Sequence, residues 1–225
     1  MSRRVLWIMP FLALALSLGC NSSKPGDGKP GSDAKSKSYG SPNEVLDAAA
    51  AAAKSEDWAA FSQCLTNESR DAFAGMLVFG ATFAKAFAEF DKEKGKEMTK
   101  GIDDALQKHG ITEERLKEMQ KDAPLKGDQK EASKAFAKLV EPVKDKGAFI
   151  ADLMAALKKL GKPGQEGPML EGELKDVKID GDTAKGTFVR KTKDGQDKKE
   201  PIEFRKVGGS WKIQLSMDTG MGAKP

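Results

Sequence analysis

Near Gly167 the spacing of apolar residues changes from a helical period to strict alternation, and this switch constrains the fold more than any other feature of the chain. Just before it, Phe149, Ile150, Leu153, Met154, Leu157 and Leu160 recur as one helical stripe, which Gly161 and Pro163 stop. After it come four alternating segments, Leu174–Ile179, Thr183–Lys191, Pro201–Val207 and Ser210–Leu215. Asp180-Gly181, Asp194-Gly195 and Gly208-Gly209 lie between them, and such pairs are strong hairpin signals. Val177 and Ile179, Ile202 and Phe204, and Trp211, Ile213 and Leu215 each project to one side, which predicts an antiparallel meander with a single apolar face. That face and the helical stripes need each other to leave water. The expectation is therefore an α+β domain over 42–217, with a helical N-terminal part (42–165) packed on a C-terminal four-stranded meander (168–217), and a flexible tail at 218–225.

The helical part has legible starts. Ser41-Pro42-Asn43-Glu44 combines a capping serine, a proline suited to the first helical position and a capping-box glutamate, opening a helix to about Lys54. Asp57 can cap a short second helix carrying Trp58, Phe61 and Leu65. A third begins after Thr66-Asn67 and continues to about Phe90, with Phe79, Phe83, Phe87 and Phe90 at spacings of four, four and three. It is apolar nearly all round from Ala72 to Ala84. A membrane span takes about 20 residues, so this stretch reads as a central buried helix, with an apolar ligand groove or membrane-inserting segment as the alternative. Seven of the ten residues from Asp91 to Lys100 are charged, and Gly95 and Gly101 interrupt. Ile102 and Leu106, then Ile111, Leu116 and Met119, suggest two short amphipathic helices on the surface. Asp128 to Glu131 resembles a further capping box ahead of Ala135, Phe136, Leu139 and Val140, and Pro142 ends that helix.

The first twenty residues have the parts of an export signal: Arg3 and Arg4, then the fourteen-residue apolar run Val5–Leu18 broken only by Pro10 and Ser17, then Gly19-Cys20. Leu16-Ser17-Leu18-Gly19-Cys20 resembles the lipobox of bacterial lipoproteins, departing from it at Ser17, where leucine is commonest. The resemblance implies that Cys20 receives a diacylglyceryl group and that a signal peptidase removes residues 1–19. An ordinary secretory signal is the alternative. Asn21, in place of an aspartate, favours the outer membrane in a cell that has two. Each buried methylene contributes about 0.8 kcal/mol, and a single acyl chain holds only marginally, so durable attachment needs several chains. Residues 21–41 are dominated by Ser, Lys, Gly, Pro and Asp, and Tyr39 is their one aromatic residue. A stretch of this kind buries too little apolar surface to offset its entropy, so 20–41 reads as a disordered tether with a reach of about 25 Å.

Composition excludes more than it assigns. Formal charge falls from +4 to +2 once Arg3 and Arg4 leave, so the surface is a mixture of both signs and gives nucleic-acid binding no support. With Cys20 lipidated, Cys64 is the last thiol; it shares a segment with Trp58, Phe61 and Leu65 and is expected to be a small buried hydrophobe, with a reactive or dimer-forming thiol as the alternative. His109, the lone histidine, precedes Gly110 at a helix end, where a cation is a common structural device. One histidine and one free cysteine cannot make a zinc site of the usual ligand types, and no catalytic residue, metal site or cofactor is expected.

Two segments together resemble the NTF2-like (cystatin-like cone) family. One is Ser41-Pro42-Asn43-Glu44-Val45 leading to Asp57-Trp58-Ala59-Ala60-Phe61 and Leu65-Thr66-Asn67-Glu68-Ser69-Arg70. The other is Gly181-Asp182-Thr183-Ala184 followed by Phe204-Arg205-Lys206-Val207-Gly208-Gly209-Ser210-Trp211-Lys212-Ile213. The mostly helical residues 71–165 depart from the family's compact pattern. The resemblance implies a concave sheet around a pocket, and some members are isomerases, dehydratases or ligand binders, whose chemistry needs an Asp, His or Tyr inside that pocket. Here Tyr39 falls in the tether and the acidic residues look like solvated faces and turns. The expected function is a membrane-anchored, non-catalytic envelope module contacting lipid through Cys20 and an unidentified envelope protein or apolar ligand. An NTF2-like enzyme or small apolar-ligand carrier is the alternative.

Overall fold

A computed structural model describes residues 37–88, 95–122, 129–159, 171–192 and 195–215. The signal segment, Cys20, the tether as far as Ser36, Phe90, Asp128, Leu160 to Pro163, Asp194 and the tail lie outside the described residues. Among those described, helices α1 (Pro42–Lys54), α2 (Trp58–Gln63), α3 (Asn67–Ala88), α4 (Gly95–Lys108), α5 (Glu113–Asp122), α6 (Gln129–Leu139) and α7 (Lys146–Lys159) precede all the strands. These are β1 (Glu173–Asp180), β2 (Thr183–Lys191), β3 (Asp197–Val207) and β4 (Ser210–Gln214). The fold is α+β, with the helices packed on one antiparallel sheet of order β1-β2-β3-β4.

The helix starts follow local chemistry. Ser41 Oγ accepts from Glu44 N at 3.2 Å, while the Glu44 carboxylate accepts from Gly40 N at 2.7 Å, one residue outside the usual reciprocal partner. Asp57 Oδ1 accepts from Ala60 N at 2.9 Å to start α2, and Asp145 Oδ1 accepts from Ala148 N at 2.9 Å to start α7. Helix α7 is the hub of the helical layer. Its Phe149, Ile150 and Leu153 are fully buried, and it touches α2, α3 and α4.

Two glycines set how closely its neighbours pack. In α3, a β-carbon added to Gly75 would lie 2.6 Å from Phe136 Cβ on α6, so these helices cross with no room for a side chain. In α4, one added to Gly101 would lie 3.7 Å from Ala156 Cβ on α7, an ordinary contact. The expected interruption at Gly101 is absent, because α4 runs through it with Ile102, Ala105 and Leu106 buried against the core.

In the sheet, Gly208 and Gly209 take φ of +58° and +82°, the pair of left-handed residues a two-residue type I′ hairpin needs. The register of β1 on β2 slips between Lys175 and Lys178, with Asp176 at φ +54° opposite Gly186. This bulge restores Leu174 and Val177 to the same side of an otherwise exposed edge strand. The other edge is closed by the chain itself: Leu65 pairs in parallel with Ile213, Thr66 N donates to Ile213 O and Ile213 N donates to Cys64 O. Phe188, Phe204, Trp211 and Ile213 form the buried side of the sheet and join one core with Leu65, Phe61 and Phe149.

Three expectations are corrected. Tyr39 does not belong to a tether: it is 7% exposed and packs in the core, because β4 offers partners for its backbone as well as a slot for its ring. Helix α3 is a buried helix only along one side. Phe73, Ala74, Val78, Ala81 and Ala84 are buried and Phe79 packs on Phe136, but Phe83 and Phe87 are 60% and 49% exposed. Among the described residues α3 is long and apolar enough to cross a membrane, yet 44% of its most apolar window is buried inside the protein. Finally, Ile179 in β1 and Leu215 just past β4 continue the alternation but lie exposed.

Candidate functional site

The expected lipidation site, Cys20, lies outside the described residues. Among the described residues, the densest buried polar cluster forms where the chain enters the domain. Tyr39 N donates to Ser210 Oγ at 2.9 Å, and Trp211 N donates to Tyr39 O at 2.9 Å. The Tyr39 hydroxyl lies 3.5 Å from Cys64 Sγ, which also reaches Ala60 O at 3.5 Å. Lys212 Nζ stands 5.4 Å over the Tyr39 ring and donates to Gln63 O at 2.6 Å, at the carbonyl end of α2 where a cation is favoured.

The electrostatics of this cluster are those of a closed structural joint. Burial pushes the Cys64 thiol up, outweighing the Tyr39 hydrogen bond and the Lys212 charge that act the other way. Burial, then the contact with Cys64, drives the Tyr39 hydroxyl well above its ordinary range, and burial holds Lys212 below the usual ammonium range. With 1% exposure and a disfavoured thiolate, Cys64 is buried as its neighbours predicted. Next to it, Thr66 Oγ1 caps α3 by accepting from Ser69 N at 3.2 Å and lies 2.8 Å from Ser69 Oγ and 3.0 Å from Gln214 Oε1. Leu215 N donates to Ser69 Oγ at 2.8 Å, so this network ties the start of α3 to the end of β4.

His109 ends α4 as expected, with Gly110 at φ +79° beyond it. What sequence reasoning missed is its partner. His109 Nε2 lies 2.6 Å from Asp152 Oδ2 on α7, Lys108 Nζ reaches the same oxygen at 2.8 Å, and the imidazole packs 5.1 Å from the Phe149 ring. Burial opposes the Asp152 charge, but hydrogen bonds from His109 and Lys108 outweigh it and hold the carboxyl below its usual range. The Arg190–Glu200–Lys198 group on the sheet is similar: burial opposes the Glu200 charge, and hydrogen bonds at 3.3 and 2.7 Å prevail. Each is a carboxylate satisfied by cations. Both join elements, the first α4 to α7 and the second β2 to β3.

Among the described residues no group of three or more His, Cys, Asp or Glu is placed to hold a metal ion. An open groove of about 400 Å³ runs beside β1, lined by Glu171, Glu173, Lys175, Val189, Lys191 and Asp197. Its wall is mostly charged, whereas a site for an apolar ligand is mostly hydrophobic. Phe83 and Phe87 meet edge-on at 4.7 Å on the exposed side of α3. No family model, curated protein or solved structure matches the chain.

Proposed function

We propose that the protein is a cell-envelope lipoprotein, held on a membrane by acyl chains on Cys20, whose α+β domain is a non-catalytic binding or structural module. The observation that carries the reading is the run from Arg3 through the apolar Val5–Leu18 to Leu16-Ser17-Leu18-Gly19-Cys20. The fold supports it from the other side. Among the described residues the first in the core is Tyr39, and in sequence the polar residues 21–38 lie between it and Cys20. The partly buried ionisable groups around Cys64, His109 and Glu200 are engaged in joining elements, which fits a module that presents surfaces. The partner on this reading is an envelope protein or an apolar ligand.

The experiment is metabolic palmitate labelling with fractionation of the wild-type chain and a Cys20→Ala variant. The wild type is expected to carry label and sediment with membranes, and the variant to do neither. Labelling that survives the substitution sinks the proposal.

A further inference from the structure

We infer that residues 37–40 are a strap: a short segment that closes the β4 edge over Cys64 and releases as a unit while the rest of the fold stays intact. The inference does not depend on the proposed lipid anchor.

The strap is attached at few points: Gly40 N donates to the Glu44 carboxylate at the start of α1, and the rest are local to Tyr39. One backbone bond, Trp211 N to Tyr39 O, and one bond to a side chain, Tyr39 N to Ser210 Oγ, hold it to the first residues of β4. The ring adds the hydroxyl contact with Cys64 Sγ at 3.5 Å and the stack beneath Lys212 Nζ. Lys37, Ser38 and Gly40 are exposed, so Tyr39 alone carries the burial of this segment. At its far end α1 loses the Gly40–Glu44 bond when the strap lifts, but it keeps the cap from Glu44 N to Ser41 Oγ and is anchored by Val45, Leu46 and Ala49 in the core. The strap can therefore lift without unwinding α1.

Its counterpart on the same strand is built differently. Cys64 to Thr66 meets β4 through two backbone bonds to Ile213 and is flanked by α2 and α3, so it opens only when helices move. The β4 edge is thus half permanent and half removable. Opening energies in a folded protein span from near zero to the global value, and segments with few buried contacts occupy the low end. Lifting Tyr39 uncovers Cys64, which is otherwise 1% exposed, and frees the Trp211 N–H that Tyr39 had satisfied. Because the chain that precedes residue 37 enters the domain here, any pull on it falls first on this joint.

The test is the rate at which 5,5′-dithiobis(2-nitrobenzoate) modifies Cys64 in the full-length chain, with peptide mapping to separate Cys64 from Cys20. Four proteins are compared: wild type, Tyr39→Ala, Ser210→Ala, and Ile150→Val as a core variant remote from the strap. Ser210→Ala removes one strap bond without opening a cavity, so it remains informative if Tyr39→Ala fails to fold. In wild type the rate should depend weakly on urea at low concentrations, as for a local opening. Ser210→Ala should raise it at least about fivefold and Tyr39→Ala at least about tenfold in the absence of urea, while Ile150→Val leaves it within about twofold. A rate that climbs steeply with urea from the outset, or one that Ile150→Val raises as much as Ser210→Ala does, means that Cys64 is reached only by global unfolding and overturns the inference.

Discussion

Gly75 and Gly101 both sit inside helices, where glycine costs about 1 kcal/mol relative to alanine, yet the packing around them differs. At Gly75 the backbone of α6 occupies the space a methyl group would need. Gly75→Ala should therefore force α3 and α6 apart and destabilise the protein by about 1–3 kcal/mol despite the better helix propensity. At Gly101 the methyl would meet Ala156 Cβ at ordinary contact distance. Gly101→Ala should be neutral or stabilise by up to about 1 kcal/mol. Urea denaturation midpoints of the two variants check both signs. A matched loss in both would mean that α4 and α7 approach as tightly as α3 and α6.

At the scale of elements, the contact between α4 and α7 carries a pH signature. Asp152 has a depressed carboxyl, so it binds its proton more weakly folded than unfolded. The associated stability is present above the unfolded carboxylate value of about 3.9 and is lost as pH falls through the folded one. Asp152→Asn should lower the urea midpoint at pH 6, and the gap to wild type should shrink as pH falls below the ordinary carboxylate value of about 3.9. A gap of constant size across that range would assign the loss to packing alone. Helix α3 offers a second contrast. Phe73 is buried and its truncation to alanine should cost about 3–5 kcal/mol, whereas Phe83→Ser should cost under about 1 kcal/mol because that ring is already mostly in water.

What the sequence disclosed about these elements follows from how local the physics is. The four strands were legible because alternation and paired turn glycines act over two to ten residues, and β2 spans Thr183–Lys191 as the alternation predicted. The bulge at Asp176 was missed although it leaves a trace: Leu174 and Val177 stand three apart, a spacing that regular alternation cannot put on one side. Periodicity along α3 named an apolar stripe but cannot say whether another element covers all of it, and Phe83 lies where none of the described elements buries it. Tyr39 was misplaced because its surroundings in sequence are polar and its hydrogen-bond partner Ser210 is 171 positions away. The burial of Cys64 could be read from Trp58, Phe61 and Leu65 beside it, while its contacts with Tyr39 and Lys212 required the fold.

On the proposed reading the chain has three parts in sequence: an attachment point at Cys20, a polar connection, and an α+β domain entered through Tyr39 at the edge of its sheet. Among the described residues, the surface carries the exposed Phe83–Phe87 pair and a groove beside β1 whose lining residues are mostly charged. If the domain works at a membrane, the attachment chemistry is the claim on which location, partner and orientation all depend. The most direct test is the mass of the mature N-terminal peptide purified from the cell envelope. The account predicts a chain that begins at Cys20 and carries a diacylglyceryl group on its sulfur. A chain that begins elsewhere, or one whose Cys20 is present as an unmodified thiol, would contradict it.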